Sequence, residues 1–322
     1  MTSAILLVGG RGTRLSPITD EIPKPMLPIA GLPVTEHQIL TAKRAGVKTL
    51  VLATSYLAEV FTPYFGDGSK WGIDLRYAVE KEPLGTGGAI SHAAAALDHQ
   101  NSTDPVLIFN GDVISDHDIS AQIECHRKNH ADATLHLIQV EDARAFGCVP
   151  TDDDGRVIEF LEKMERPITN WINAGCYIFN WDVIDSIPRG IVTSVERETF
   201  PGLIQSKKRI FGYKENSYWL DIGTPTALFK ASRDRIKGDF VASPTALIDS
   251  TATLTGGTSV GARASIAPGA FLDNCIVSEG AVIGQGVHLS RCFLAPGAIV
   301  HPDITLSDHY LSRVKKAPIT FN

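Results

Sequence analysis

From Val8 to Pro25 the chain reads Val-Gly-Gly-Arg-Gly-Thr-Arg-Leu-Ser-Pro-Ile-Thr-Asp-Glu-Ile-Pro-Lys-Pro, a glycine loop with two arginines and, at short range, a lysine. These residue types suit a polyanion. Glycine at 9, 10 and 12 removes the Cβ atoms that would hold backbone N–H groups away from phosphate oxygens, while Arg11, Arg14 and Lys24 bring positive charge to the same stretch. Pro23 and Pro25 restrict the backbone on both sides of Lys24 and so limit where its ammonium reaches. Two common phosphate motifs fail on spacing: position 15 is Leu, so no third glycine completes a dinucleotide-binding turn, and no Gly-Lys-Ser/Thr follows at P-loop distance.

The elements that must carry this loop are legible around it. The apolar run Ala4–Val8 predicts a buried parallel strand, which puts Gly9, Gly10 and Gly12 at the carboxyl edge of a sheet, where ligands bind in α/β folds. Further strands are predicted near Thr49–Ala53, Leu75–Val79, Val106–Phe109 and Ala133–Val140, with helices between them over Thr35–Ala45 and Gly87–Ala96. The glycine-rich entrance of the second helix, Gly85 to Gly88, is expected to turn its first N–H groups toward an anionic or carbonyl-bearing ligand.

After Asp239 helical periodicity vanishes. Ile248, Leu254, Val260, Ile266 and Leu272 recur every six residues, followed by Val277, Ile283 and Leu289 and then Leu294, Val300 and Leu306. This is a hexapeptide repeat, predicting a short left-handed parallel β-helix. The phase slips by one at two places, each beside a cysteine, Cys275 and Cys292, which are expected to point inward. Eleven aliphatic positions at three per coil predict between three and four coils with an end left open, and a homo-oligomer through this tail is the expected cover. Acyl transfer, the other use of such helices, has no histidine in a supporting context: His288 and His301 lie in the repeats without one.

Composition narrows the partners. A net charge of −6 with no Lys/Arg run argues against nucleic acid, and no apolar stretch approaches the length of a membrane span, so a cytoplasmic protein is expected. The five cysteines have no zinc or paired spacing and read as reduced thiols; the ten histidines are dispersed and none is given a catalytic role.

The loop resembles the signature of the sugar-1-phosphate nucleotidyltransferases. Five further blocks follow in that family's order: Glu80-Lys81-Glu82-Pro83-Leu84-Gly85-Thr86-Gly87-Gly88, Phe109-Asn110-Gly111-Asp112, Phe160-Leu161-Glu162-Lys163, Asn173-Ala174-Gly175-Cys176-Tyr177 and Trp219-Leu220-Asp221-Ile222-Gly223-Thr224-Pro225. The forms of the second and last blocks, with the tail, are most similar to the bacterial mannose-1-phosphate guanylyltransferases, particularly the short actinobacterial kind. The resemblance implies an α/β fold: a Rossmann-like mixed sheet in a nucleotidyltransferase domain over 1–238, followed by the β-helix domain over 239–322. It implies transfer of a nucleoside monophosphate from GTP to α-D-mannose 1-phosphate, with Mg²⁺ held by Asp112 and Asp221. By the same resemblance Arg14 neutralises the departing pyrophosphate and Lys24 lies near the α and β phosphates. Leu7, Gly9, Gly10, Arg11, Gly12, Thr13, Glu80 and Gly85 fall on the nucleotide side; Glu162, Lys163, Asn173 and Gly175 fall on the sugar-phosphate side, the last two in a turn. Another base or sugar, such as glucose 1-phosphate or a heptose 1-phosphate, stays open at this point. So does a non-catalytic homologue that senses sugar nucleotides, although retention of Arg14, Lys24, Asp112, Lys163 and Asp221 speaks against it.

Overall fold

The structure is a computed structural model and describes residues 3–10, 12–54, 58–98 and 104–321. Its contacts divide the chain into two compact units, Met1–Gly10 with Gln38–Trp219 and Arg11–His37 with Leu220–Asn322.

The first unit is built on a nine-stranded mixed sheet. Its strands are β1 (Ser3–Leu7), β2 (Thr49–Thr54), β3 (Asp74–Val79), β4 (Val106–Asn110), β5 (Ala133–Gln139), β6 (Gly147–Cys148), β7 (Leu161–Glu162), β8 (Trp171–Phe179) and β9 (Ile210–Glu215). Strand β1 lies centrally between β2 and β4, parallel to both, and β3 extends the parallel layer beyond β2. Ala4, Ile5 and Leu6 are fully buried, which is why this strand reads as a continuous apolar run without alternation. Strand β8 turns the sheet mixed: it runs antiparallel to β4 on one side and to β5 on the other, with β9 parallel to β5. The five strands expected from the sequence agree with the observed ones to within one residue at each end. Helix α1 (Val34–Arg44) likewise matches, and helix α2 (Gly85–Ala94) begins two residues earlier than its periodicity suggested. Ile5, Val51, Ile90, Val106, Ile108, Tyr177, Phe179 and Phe200 belong to one core on this sheet.

In the second unit, helix α3 (Pro225–Arg235) precedes a parallel β-helix with three faces. Registers are offset by eighteen residues at first, as in Phe240↔Thr258, Leu247↔Ser265 and Thr253↔Phe271. Later offsets are seventeen, as in Ser259↔Ile276, Val282↔Ile299 and His288↔Thr305. The two phase slips in the repeat are therefore one-residue shortenings of successive coils. Cys275 and Cys292, beside those slips, are fully buried in the interior with Leu272, Val277, Leu289 and Leu294. Four coils are complete, and His309–Leu311 opens a fifth, onto which Lys316–Pro318 folds back antiparallel. The sequence count was short because Ala242, a small residue, occupies one of the inward positions.

Candidate active site

In the second unit the glycine loop is held from within. Gly12 takes a positive φ of 61°, Leu15 N–H and Thr19 Oγ1 both donate to Gly12 O at 2.9 Å, and Leu15 is fully buried. Arg14 and Thr13, on the same short turn, remain exposed. Arg11 lies outside the described residues. Lys24 opens the turn Lys24–Met26 and is only 8% exposed, unusual for lysine, and its Nζ is 3.9 Å from Asp221 Oδ1. Asp221 ends the strand Trp219–Asp221, and Gly223 follows two residues on. A methyl on Gly223 would stand 2.8 Å from Arg14 Nη2 and 3.0 Å from Asp221 Oδ1. Arg14 and Asp221, distant in sequence, thus flank one glycine, and Lys24 faces the same carboxylate. Two cations beside one carboxylate can neutralise a polyphosphate while keeping an oxygen donor for a metal.

In the first unit the expected residues gather at the carboxyl ends of the parallel strands. The turn after β4 brings Gly111 N–H to Leu7 O at 2.8 Å, the last carbonyl of β1. A Cβ at 111 would lie 2.1 Å from that oxygen, so only glycine lets Asp112 leave the sheet beside the end of β1. Gly9 and Gly10 follow β1 and are exposed. Glu80 follows β3, with its N–H on Thr54 O at 2.8 Å; the side chain is buried, one oxygen accepting from Leu84 N–H at 3.2 Å and the other without a hydrogen-bond partner among the described residues. Burial pushes its pKa up.

The glycine-rich helix entrance is used differently from the expectation. Gly87 and Gly88 N–H groups donate to Thr193 O at 2.8 and 3.3 Å, so the chain supplies its own carbonyl where a ligand was expected. The glycines admit the segment Ile191–Thr193 against the helix; a Cβ at Gly85 would lie 2.6 Å from Thr193 O.

On the sugar-phosphate side, Glu162 ends β7 and Lys163 follows it with a positive φ of 45°, its Nζ 3.6 Å from Glu162 Oε1. Lys163 lines an open cavity of about 650 Å³ with Asp142, Arg144, Ala145, Met164 and Glu165. Asn173 and Gly175 were expected in a turn but lie within β8, at an irregularity where pairing with β5 shifts between Asn173 and Tyr177. There Asn173 Oδ1 accepts from Gly175 N–H at 3.1 Å and its Nδ2 donates to the Tyr177 hydroxyl at 2.7 Å. The amide shapes the bulge, and the β-rich flanks Trp171–Ile172 and Tyr177–Phe179 explain why a strand runs through it.

Sequence reasoning passed over two residues that the structure brings to these places. Gly223 had a signal, the glycine closing the Asp-Ile-Gly block. Gln38, on α1, had none: its buried Nε2 donates to Asn110 O at 2.6 Å and Val113 O at 3.0 Å, bracketing Asp112.

Residues 3–238 match the model of the nucleotidyl transferase family. The chain belongs to that family. It is 46% identical to mannose-1-phosphate guanylyltransferase of Mycobacterium tuberculosis, over 86% of this chain and 80% of that protein. It is 34% identical to mannose-1-phosphate guanylyltransferase 1 of Arabidopsis thaliana, over 86% of this chain and 78% of the relative. Among solved structures, HddC from Yersinia pseudotuberculosis complexed with GMP-PN superposes with a TM-score of 0.63 at 29% identity, covering 73% of this chain and 99% of that one. The chain is thus an enzyme of the nucleotidyl-transfer class with the mixed α/β fold of that family. Members of the family generally use a divalent metal. The donors here fit a hard cation. Asp112 and Asp221 offer oxygen, and no group of three or more His, Cys, Asp or Glu able to hold a metal occurs among the described residues. No helix among the described residues is long and apolar enough to cross a membrane.

Proposed function

We infer that this chain joins GTP and α-D-mannose 1-phosphate to give GDP-mannose and diphosphate. The observation that carries the reading is the 46% identity, over most of both chains, to the mycobacterial guanylyltransferase. The GMP-PN complex of a relative at 29% identity supports guanine as the base.

In this reading an oxygen of the sugar phosphate attacks the α-phosphorus in line, a new P–O bond forms, and the bond to the bridging oxygen of the β-phosphate breaks. Repulsion between two anions is the obstacle, and positioning with charge neutralisation is what the protein supplies. Arg14 takes up charge on the departing diphosphate, and Lys24 lies along the α and β phosphates. The placement of Arg14 against Gly223 and of Lys24 against Asp221 supports these roles. Asp112 and Asp221 would hold Mg²⁺, which supplies further charge neutralisation when bound. Lys163 contacts the sugar phosphate, and Glu162, Asn173 and Gly175 the sugar hydroxyls, with Lys163 beside an open cavity in support. The backbone at Leu7, Gly9, Gly10, Arg11, Gly12 and Thr13, with Glu80 and Gly85, serves the nucleotide. The division into a catalytic domain over 1–238 and a β-helix domain over 239–322, self-associating through the latter, belongs to the same proposal; the family match ends at 238.

The test is diphosphate release across a matrix of nucleoside triphosphates and sugar 1-phosphates with Mg²⁺. GTP with mannose 1-phosphate should give the highest kcat/KM. A higher value for another base or sugar overturns the assignment, and no release with any pair overturns catalysis.

A further inference from the structure

The last strand pair of the β-helix reaches back to the glycine loop within the second unit. Lys315 precedes the strand Lys316–Pro318, and its Nζ lies 2.6 Å from Asp20 Oδ2, 295 residues away in the chain. Asp20 closes the short turn Ile18–Asp20 inside the segment that carries Gly12, Arg14 and Lys24. Its other oxygen accepts from Ser16 Oγ at 2.9 Å, and the adjacent Thr19 holds Gly12 O. The hydrogen bond from Lys315 is the leading cause that lowers the Asp20 pKa.

Both ends of the pair are fixed. Ser312 N–H donates to Lys315 O at 2.8 Å and Lys315 N–H to Ser312 Oγ at 3.1 Å. The strand His309–Leu311 is pinned by Tyr310, whose side chain is fully buried. An exposed ion pair ordinarily contributes little because two long side chains must be ordered for it. Here the turns on either side already order the backbones, so less is lost.

We propose that Lys315 is a positioning residue for nucleotide binding: through Asp20 it holds the turn between Arg14 and Lys24 in the conformation that receives the triphosphate. The β-helix tail then bears on nucleotide binding through the glycine loop, beyond any part in assembly. This rests on the reading of Arg14 and Lys24 as triphosphate contacts.

The test uses Lys315→Glu, Asp20→Lys and the double exchange in the full-length protein. Each single variant places like charges where a pair stood and should raise KM for GTP about fivefold, the scale of an exposed pair lost and a repulsion gained. KM for mannose 1-phosphate should stay as in the parent, the melting temperature should fall by no more than about 3 °C, and the double variant should recover most of the loss. An unchanged KM for GTP, an equal rise in both KM values, or a double variant no better than the singles overturns the proposal. Calorimetric binding of GTP reads the same contrast without turnover. A parent protein that binds GTP with the expected dependence on Lys315 but transfers to no sugar phosphate would refute the substrate reading and leave this inference standing.

Discussion

Gly223→Ala tests the cluster of Arg14, Lys24 and Asp221 without touching any charged group. The glycine has no positive φ, so an alanine backbone is unstrained. The new methyl would meet Arg14 Nη2 at 2.8 Å, Asp221 Oδ1 at 3.0 Å and Arg14 Cζ at 3.1 Å. All three belong to side chains, and the guanidinium, at the end of an exposed flexible chain, must retreat by roughly half an ångström to reach ordinary contact. Stability should fall by about 1 kcal/mol, because the atoms the methyl meets are the ends of side chains that can shift. Activity should suffer more. A cation aimed at charge that develops in the transition state loses effect steeply with misplacement, and a shift of this size should lower kcat by about tenfold to a hundredfold. Gly111→Ala is the contrasting variant. Its methyl would lie 2.1 Å from Leu7 O and 3.1 Å from Val8 Cα, backbone atoms at the end of a central strand that cannot move aside, so about 3 kcal/mol of stability should be lost. Thermal melts and diphosphate release measured side by side separate the two cases. A Gly223→Ala protein with parental kcat would refute convergence of Arg14 on the reacting phosphates, and one that melts like Gly111→Ala would show that the glycine serves the fold.

Asp112→Asn and Asp221→Asn each remove a metal-binding charge at constant volume and should cut Mg²⁺-dependent turnover by about a hundredfold or more with the melting temperature retained; near-parental rates in either would remove that carboxylate from the metal. Lys163→Ala should raise KM for the sugar phosphate, whereas Arg14→Ala should chiefly lower kcat, and steady-state kinetics with each substrate varied would expose exchanged roles. Acid should destabilise the first unit through His117, whose pKa burial, with the neighbouring His136, lowers from 6.5 to about 3. A histidine kept neutral when folded contributes stability above its unfolded pKa that is lost as pH falls, by up to about 1.4 kcal/mol per unit between 6.5 and 3. Urea melts of His117→Gln should therefore show a shallower decline over that window, and an unchanged slope would place the acid sensitivity elsewhere.

The strands and helices were legible because each is a local pattern. Buried parallel strands such as Ser3–Leu7 and Val106–Asn110 are apolar throughout, and the β-helix writes its coil length into the spacing of single aliphatic residues, down to the one-residue shortenings beside Cys275 and Cys292. What could not be read is where two distant segments satisfy each other. Gly87 and Gly88 look from the sequence like an open helix N-terminus, and only the fold reveals that Thr193 O already occupies it. Asn173 looks like a turn residue, yet a register shift against β5 uses its amide inside a strand. Gln38 carries no motif, since a glutamine on a helix is ordinary until two main-chain carbonyls from another element lie within reach of its amide.

The same distinction bears on how the glycine loop itself is organised. Gly12 and Thr19 hold each other within one turn, and the signature residues determine that much. The rest of its support is remote. Ala30 N–H donates to Ser232 Oγ of α3 at 3.0 Å, Lys24 faces Asp221, and Asp20 is held by Lys315. A loop rich in glycine has high conformational entropy to lose, and its own few hydrogen bonds offset only part of that cost. The remainder comes from α3, from the Asp221 segment and from the end of the β-helix, so the arrangement of Arg14 and Lys24 depends in part on residues, Ser232 and Lys315, that enter no signature. Relatives that share the glycine loop but end in a different tail must meet that cost by other contacts, and their nucleotide affinity is where the difference should register.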